Sequence, residues 1–404
     1  MQRKNKMRKA LIHIGASGLQ LETLLWAKES GLHVIATDRN SNAEGKDVAD
    51  EFYNISGTDE DSLLELAQTV SKNFTLVGVY CNSDFSLAAA AKINKKYGLR
   101  GCLPETVQTS IDKTKAKELM LNNNVPIPRG VAVDGALLNM NEMSHLQFPL
   151  IVKPIDSCGS QGVRYVNDLH EMMDGINGAL TFSKKVLIEE FILGDGIDTI
   201  GIMKNGKLYP CGLGLRFFSD LPFRFPTHGY ANTTLSRLDK EEAYRITEEA
   251  AIAVGISDGP VKADLIFYEG KFTVIEVTPR FHGDVFTNKM IVYATGFNPA
   301  KELFGFLTTG KISNKSILDI EPASVLWKGL FPLVDNIDWP ALESDFVNGG
   351  RVLDFYLDPR FTFTNSNHTD NTSLSGFIWL EFDNNESMNQ YLEGFKSKYN
   401  GTLL

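Results

Sequence analysis

The 404 residues of this chain are too many for one ordinary hydrophobic core, so we expect two to four packed modules. Apolar residues make up 43% and charged residues 22%, which are the shares of a folded, soluble protein. The net charge of −10 argues against nucleic-acid or anionic-membrane partners, because neutralising phosphates requires clustered Lys and Arg.

The sequence also lacks the patterns that are typical of secreted, membrane-spanning and metal-binding proteins. The basic N-terminal cluster precedes a short run that is interrupted by His13 and followed by Gly15, which is typical of a first strand rather than a secretory leader. No apolar stretch reaches transmembrane length. The four cysteines and seven histidines are scattered, which argues against a disulfide framework or a transition-metal site. We therefore predict a cytoplasmic protein.

Residues 1–112 alternate strand-like and helical patterns in the order βαβαβ, which predicts a doubly wound parallel sheet. The strands are predicted at Ala10–Ile14, His33–Thr37 and Leu76–Cys81. Gly15 and Gly18 follow the first strand and mimic part of a dinucleotide fingerprint. The fingerprint is incomplete, because Ser17 takes the place of its second glycine, so a structural turn is the preferred interpretation.

Residues 113–312 are predicted to form a catalytic core, with a lid subdomain at about 148–190. The lid combines a strand at Leu150–Lys153, a glycine-bearing loop and a strand at Val186–Phe191. The segment Leu208–Thr234 mixes Pro, Gly, Phe and Arg without clear periodicity, which predicts a loop region facing the substrate. Residues 313–404 are predicted to form a small C-terminal α+β module.

Lys153 ends a buried strand and is followed by a glycine-rich loop, Ser157–Gly162. This arrangement places a fixed cation beside a flap whose backbone N–H groups can close over a triphosphate. The sequence contains no G-x-x-x-x-G-K-[ST], so the motif is not a P-loop. By itself the motif fits a surface lysine that precedes a turn better than it fits a phosphate site.

Two acidic residues are predicted on the paired strands of a hairpin. The turn Glu269–Lys271 joins the two strands and places Asp264 and Glu276 on neighbouring strands. Magnesium bound to a nucleotide prefers one or two carboxylates together with phosphate oxygens. Both acids lie inside apolar runs, which weakens the alternative that they are solvated strand residues. The hairpin therefore predicts a magnesium site.

These motifs, in this order, resemble the ATP-grasp superfamily, particularly its carbamoyl phosphate synthetase and biotin carboxylase-like carboxylate–amine ligases. The resemblance covers nearly the entire chain and implies an ATP-grasp fold of α/β and α+β class, with a pre-ATP-grasp parallel-sheet domain and a C-terminal α+β module. By this likeness the residues that contact ATP are Lys113, Lys153, Gly159, Ser160, Gly162, Glu189, Glu190, Ile192 and Asp198.

The resemblance also implies roles for single residues. Glu189 would lie beside the adenine amino group, the backbone of Glu190 and Ile192 at the ring edge, and Asp198 near the ribose. Asp264 and Glu276 match the magnesium ligands, and Arg280 matches the arginine that steadies the acyl phosphate and the tetrahedral intermediate. Thr278 stands where asparagine is commoner, which favours one magnesium ion over two.

The resemblance implies an ADP-forming ligase that joins a small-molecule carboxylate to an amine, with a homodimer as the family-level expectation. Candidate substrate contacts are Arg216, Arg224, His228, His282 and Asp284. Three other functions stay open: a bicarbonate-using biotin carboxylase-like enzyme, a non-catalytic nucleotide-binding protein, and an NAD-dependent oxidoreductase. The incomplete glycine fingerprint argues against the oxidoreductase, and intact Lys153, Glu276 and Arg280 argue against a protein without turnover.

Overall fold

The structure, a computed structural model, describes residues 7–134, 143–282, 285–313, 315–334, 337–357 and 368–404, and only the backbone of 285–288. The predicted substrate residue Asp284 lies outside the described residues. Among the described helices, none is both long enough and apolar enough to cross a membrane.

A parallel sheet in the order β3-β2-β1-β4 occupies the N-terminal part of the chain. Its strands are β1 (Lys9–Ile14), β2 (His33–Thr37), β3 (Glu51–Tyr53) and β4 (Thr75–Cys81). The helices are α1 (Leu21–Glu29), α2 (Glu60–Asn73), α3 (Asp84–Tyr97) and α4 (Pro104–Ile111). Successive residues of β1 enter two different apolar cores, so both faces of the sheet are covered. The predicted doubly wound parallel sheet is confirmed.

The glycine-bearing turn after β1 is held by the chain itself. Gly15 has a φ of +103°, in the left-handed region that glycine tolerates. The backbone N–H of Ala16 donates to the Asp38 carboxylate at 2.9 Å, and that of Ser17 donates to Gln20 Oε1 at 2.8 Å. These bonds favour the interpretation of the motif as a structural turn.

A second sheet carries the predicted lid and has the order β5-β8-β6-β7. Its strands, all antiparallel, are β5 (Gly130–Asp134), β6 (Leu150–Pro154), β7 (Arg164–Val166) and β8 (Lys185–Glu190). Helix α5 (Lys113–Asn122) precedes this sheet, and α6 (Leu169–Ala179) packs against β6 and β7. Helix α6 begins at Leu169 because the Asp168 side chain accepts the N–H of Glu171 at 2.9 Å.

The third and largest sheet has the order β13-β12-β9-β10-β11-β14-β16-β15 among the described residues. Its strands are β9 (Asp195–Lys204), β10 (Lys207–Phe218), β11 (Pro226–Tyr230), β12 (Gly259–Tyr268), β13 (Lys271–Thr278), β14 (Ser324–Leu330), β15 (Arg351–Leu357) and β16 (Gly376–Phe382). The helices of this part are α7 (Arg237–Ala253), α8 (Val285–Thr295), α9 (Pro299–Thr309), α10 (Trp339–Gly349) and α11 (Asn385–Lys398).

The prediction of a loop region at Leu208–Thr234 is wrong, because most of this segment forms β10 and β11. Glycines inside β10 hide the alternation that marks a strand. A Cβ at Gly212 would lie 2.7 Å from Ile291, and one at Gly214 would lie 2.6 Å from Met290. The glycines are therefore required by the close approach of α8 to the strand, which local sequence does not reveal.

The largest sheet runs across the predicted boundary at residue 312. Strand β11 of the core pairs with β14 of the C-terminal segment, with Tyr230 opposite Leu326. The C-terminal strands therefore extend the core sheet instead of forming a separate one. The boundaries at residues 112 and 312 stay predictions.

Candidate functional site

A cavity of about 500 Å³ lies where the lid sheet faces the largest sheet, and N-terminal residues line one end of it. Lys153 from β6 and the acids Asp264 and Glu276 from β12 and β13 all line this cavity. The predicted site residues that line it are Lys113, Lys153, Gly159, Ser160, Ile192, Asp198, Arg216, Arg224, Asp264, Glu276, Arg280 and His282. The structure thus brings together most of the side chains that the sequence singled out.

The charge of the cavity lining is opposite in sign to that of the whole chain. Among the described residues, six cationic residues line it: Lys113, Lys153, Arg216, Arg224, Lys262 and Arg280. Four acidic residues of the described part line it: Asp84, Asp198, Asp264 and Glu276. The excess of cations attracts an anion, although the protein carries a net charge of −10.

Glu189 is buried between two lysines and is not among the cavity-lining residues, and its contact with adenine stays a prediction. Its carboxylate accepts from Lys117 at 2.9 Å and also pairs with Lys153. Burial alone would raise the pKa of Glu189, but the two lysines outweigh it and lower the pKa. Glu189 therefore fixes the position of Lys153 at the cavity wall.

We expect the free energy of unfolding to depend on the protonation of Lys117, because Lys117 and Lys153 share the buried carboxylate of Glu189. Burial lowers the pKa of Lys117 to about 8, despite the attraction of Glu189. Above that pH the folded protein releases a proton that the unfolded chain still holds until about pH 10. The unfolded state then binds more protons, so the free energy of unfolding should rise with pH, by up to about 3 kcal/mol.

Urea denaturation of the wild type and of Lys117→Met between about pH 7 and pH 10 measures this effect. Methionine removes the titrating group, while Glu189 keeps Lys153 as its partner. We expect the stability of the wild type relative to the variant to increase with pH. A difference that stays constant over this range would contradict the shared-carboxylate arrangement.

Asp264 and Glu276 are register partners on β12 and β13, as the hairpin predicted. The sequence analysis missed Lys262, which lies two residues before Asp264 and is 4% exposed. Its ammonium donates to Asp264 Oδ2 at 2.9 Å and to Glu276 Oε2 at 2.7 Å. Burial would raise the pKa of Glu276, but Lys262 and then Lys113 hold it well below its ordinary value.

The acid pair also fits a divalent cation. Within the described part of the chain, Asp264 Oδ1 is buried and has no hydrogen-bond partner, and neither has Thr278 Oγ1. Glu276 Oε1 lies 3.6 Å from the Lys113 ammonium. Oxygen ligands of this kind are those that magnesium prefers, so one oxygen of each acid is suited to hold Mg²⁺.

Arg280 is buried and is held by an acid from the N-terminal sheet domain. Its guanidinium donates through Nε to Asp84 Oδ1 at 2.7 Å and through Nη2 to Asp84 Oδ2 at 2.5 Å. Burial would lower the pKa of Arg280, but Asp84 raises it above the ordinary value, so the guanidinium stays charged. Asp84 is the first residue of α3, and sequence reasoning missed its role.

Asp198, Arg216 and His282 form a buried cluster at another part of the cavity wall. Arg216 pairs with Asp198 at 2.8 Å, and its Nη2 donates to His282 Nδ1 at 2.9 Å. Burial, followed by the charge of Arg216, lowers the pKa of His282 well below 6.5, so the ring is neutral. Asp198 therefore has a protein partner at the position where a ribose contact was predicted.

The glycine-rich loop is held in place by residues from three parts of the chain. Lys113 Nζ donates to the Ser157 carbonyl at 2.7 Å, and the N–H of Asn371 donates to the Gly159 carbonyl at 3.1 Å. Gly162 does not line the cavity, and a Cβ there would lie 2.9 Å from Phe182. Its φ of +71° makes it a residue of the loop turn, and its contact with ATP stays a prediction.

The hinge after β8 contributes an apolar wall. Phe191 and Ile192 line the cavity, whereas Glu190 does not. The backbone N–H of Glu190 donates to the Arg129 carbonyl at 2.8 Å, and its carboxylate accepts from Arg129 Nε at 2.9 Å. The placement of the Glu190 backbone at the adenine edge stays a prediction, and Phe191 and Ile192 are the hinge residues that reach the cavity.

The remaining substrate candidates differ in position. Arg224 lines the cavity, with its guanidinium 4.3 Å from the ring centre of Phe218 and 5.4 Å from that of Phe191. His228 does not line the cavity, because its ring stacks on Phe217 with 4.7 Å between ring centres. Burial lowers the pKa of His228 to about 3, so the ring is neutral, and its substrate contact stays a prediction.

A model of the ATP-grasp domain family matches residues 110–284 of the chain. The chain contains an ATP-grasp domain. This match confirms the family predicted from Lys153, the acid pair and Arg280. The matched segment includes α5, the lid sheet and the strands that carry the acids, so the family region and the cavity coincide.

Known proteins with similar sequences or structures share this domain. The carbamoyl phosphate synthase large chain of Clostridium botulinum is 26% identical over 63% of this chain, and the match covers 24% of that protein. Alanine–anticapsin ligase of Bacillus amyloliquefaciens is 25% identical over 71% of this chain and 66% of its own. This chain thus spans about a quarter of the synthase.

The solved structure of L-amino acid ligase from Bacillus licheniformis superposes with a TM-score of 0.79 and 18% identity. The superposition covers 97% of this chain and 98% of that one. This likeness shows the fold and confirms the predicted ATP-grasp architecture. Other solved structures of this fold hold ADP or magnesium ADP.

Residues outside the predicted motifs complete the site of the ATP-grasp domain. They are Asp84, Lys117, Lys262, Asn371 and Leu374. A sequence signal exists for two of them: Lys117 follows Lys113 by one helical turn, and Lys262 lies on the same strand face as Asp264. The others reach the site from distant segments, and only tertiary structure reveals them.

Proposed function

We propose that this protein is an ATP-dependent carboxylate–amine ligase that forms an amide or peptide bond through an acyl phosphate. One observation carries the proposal: Lys113 and Lys153 line the same cavity as Asp264, Glu276 and Arg280. The cavity therefore combines cations for a phosphate chain, acids for Mg²⁺ and a charged guanidinium for a developing oxyanion. The predicted roles of these residues are part of the proposal.

Amino acids are the substrate class that the similar proteins favour. The names of alanine–anticapsin ligase and L-amino acid ligase both describe ligases of amino acids. The cavity offers Arg224 and Arg280 for carboxylates. We therefore propose a small-molecule ligase that uses amino acids as carboxylate and amine.

The proposed reaction has two steps. A substrate carboxylate oxygen attacks the γ-phosphorus of ATP, so that an acyl phosphate forms and ADP leaves. Lys113 and Lys153 stabilise the charge on the transferred phosphoryl group, and the glycine-rich loop excludes water. The amine then attacks the acyl carbon, Arg280 stabilises the oxyanion, and phosphate leaves as the amide forms while the amine loses a proton.

Magnesium would be held by Asp264 and Glu276, where it would offset the negative charge of the nucleotide phosphates. We propose one ion, in line with the resemblance, since Thr278 stands where asparagine is the commoner residue. The apolar residues Ile151, Ile192 and Ile266 line the same cavity and would pack against the adenine ring.

The products test the proposed chemistry. Purified protein with Mg-ATP and a panel of amino-acid pairs should release ADP and inorganic phosphate, with phosphate release depending on both amino acids. The amide product, followed by mass spectrometry, should form in equal amount to the phosphate. Release of AMP and pyrophosphate would contradict the acyl-phosphate route, because it would indicate an adenylate.

A further inference from the structure

Two cations of the protein already lie among the acids of the candidate magnesium site. The Lys262 ammonium bridges Asp264 and Glu276, with bonds of 2.9 Å and 2.7 Å to one oxygen of each carboxylate. Lys262 is 4% exposed and lines the cavity. Two facing carboxylates would otherwise repel each other, so the ammonium supplies the positive charge that holds the pair together.

A second group of potential metal ligands surrounds a cation of the protein, the guanidinium of Arg216. Asp198, Asp264 and His282 offer ligand atoms that all lie within 4.8 Å of one another. The guanidinium of Arg216 lies among them, 2.8 Å from Asp198 Oδ1, 3.6 Å from Asp264 Oδ2 and 2.9 Å from His282 Nδ1. A divalent ion at this position would meet a buried positive charge, so its binding would be opposed by electrostatic repulsion.

We propose that Lys262 and Arg216 act as built-in cations in place of a second divalent ion, so that the nucleotide-loaded site holds a single one. The inference rests on the proposed nucleotide site. Lys262 binds Asp264 Oδ2 and Glu276 Oε2, the inner oxygens, and Asp264 Oδ1 has no hydrogen-bond partner among the described residues. Asp264 Oδ1 and Glu276 Oε1 are left as ligands for one ion, while the inner oxygens stay with Lys262.

Equilibrium dialysis of the full chain against Mn²⁺ and ADP tests the inference by counting bound ions and bound nucleotide. We expect one Mn²⁺ for each bound ADP in the wild type. Lys262→Met frees the inner oxygens of Asp264 and Glu276, so this variant should bind two Mn²⁺ for each ADP. Lys271→Met is the matched control, because Lys271 is exposed on the same hairpin outside the cavity, and it should bind one.

Two Mn²⁺ for each ADP in the wild type would overturn the inference, as would an unchanged count in Lys262→Met that still binds ADP. If Lys262→Met does not fold, Lys262→Gln, which keeps a hydrogen-bond donor without the charge, carries the same expectation. A wild type that binds neither ADP nor Mn²⁺ would instead overturn the proposed function, so the two failures are distinguishable.

Discussion

Replacement of Lys153 by methionine is expected to lower the rate of amino-acid-dependent phosphate release by about 10³-fold. Lys153 ends β6 at the cavity wall, and its ammonium is held in place by Glu189. Methionine has a similar length but no charge, so the variant loses a cation that would offset the charge of the transferred phosphoryl group. Single-turnover phosphate release at saturating Mg-ATP measures the effect.

The structure indicates that this loss would not come from unfolding. In Lys153→Met the buried Glu189 still pairs with Lys117 at 2.9 Å, so no carboxylate is left without a cation. Lys184→Met is the matched control, because Lys184 is exposed and does not line the cavity. Full activity in Lys153→Met would show that the phosphate chain binds elsewhere.

Arg280→Met is expected to lower the ligase rate by about 10²-fold or more and also to destabilise the fold by about 3–5 kcal/mol. The first effect follows from the loss of the proposed oxyanion contact. The second follows because Asp84 is buried against Arg280 and would keep its charge without a partner. Ligase assays and urea denaturation measure the two effects separately.

A double variant separates the catalytic effect from the structural one. Asp84→Asn combined with Arg280→Met removes both buried charges, so it should regain most of the lost stability. The rate should stay low, because asparagine and methionine provide no cation for the oxyanion. Recovery of the rate together with the stability would mean that Arg280 serves only to join the N-terminal domain to the core.

The chemistry of the ATP-grasp domain was predictable where it depends on short spacings along the chain. Lys153 precedes a glycine-rich loop directly, and Asp264 and Glu276 are joined by a hairpin turn of fixed register. A tight turn fixes which residues of the two strands pair. That Asp264 and Glu276 lie opposite each other therefore follows from the sequence alone. The structure brings these residues to one cavity.

The surroundings of single side chains were harder to predict than the motifs. Glu189 and His228 stand in motifs or segments that suggested ligand contact, yet each side chain contacts protein neighbours in the structure. Glu189 pairs with Lys117, and His228 stacks on Phe217 and lies on a strand opposite Lys328. Which side of a strand faces a cavity depends on the sheets that pack around it, and sequence spacing does not contain that information.

The sequence by itself determined the alternation of strands and helices, the lysine before the glycine-rich loop and the paired acids, because each follows from periodicity or a short turn. Tertiary structure alone decided that Asp84 holds Arg280 and that Arg216 lies among Asp198, Asp264 and His282. Asp84 and Arg280 are 196 residues apart. Such contacts arise only when separate sheets pack together, since burial then requires every charge to find a partner.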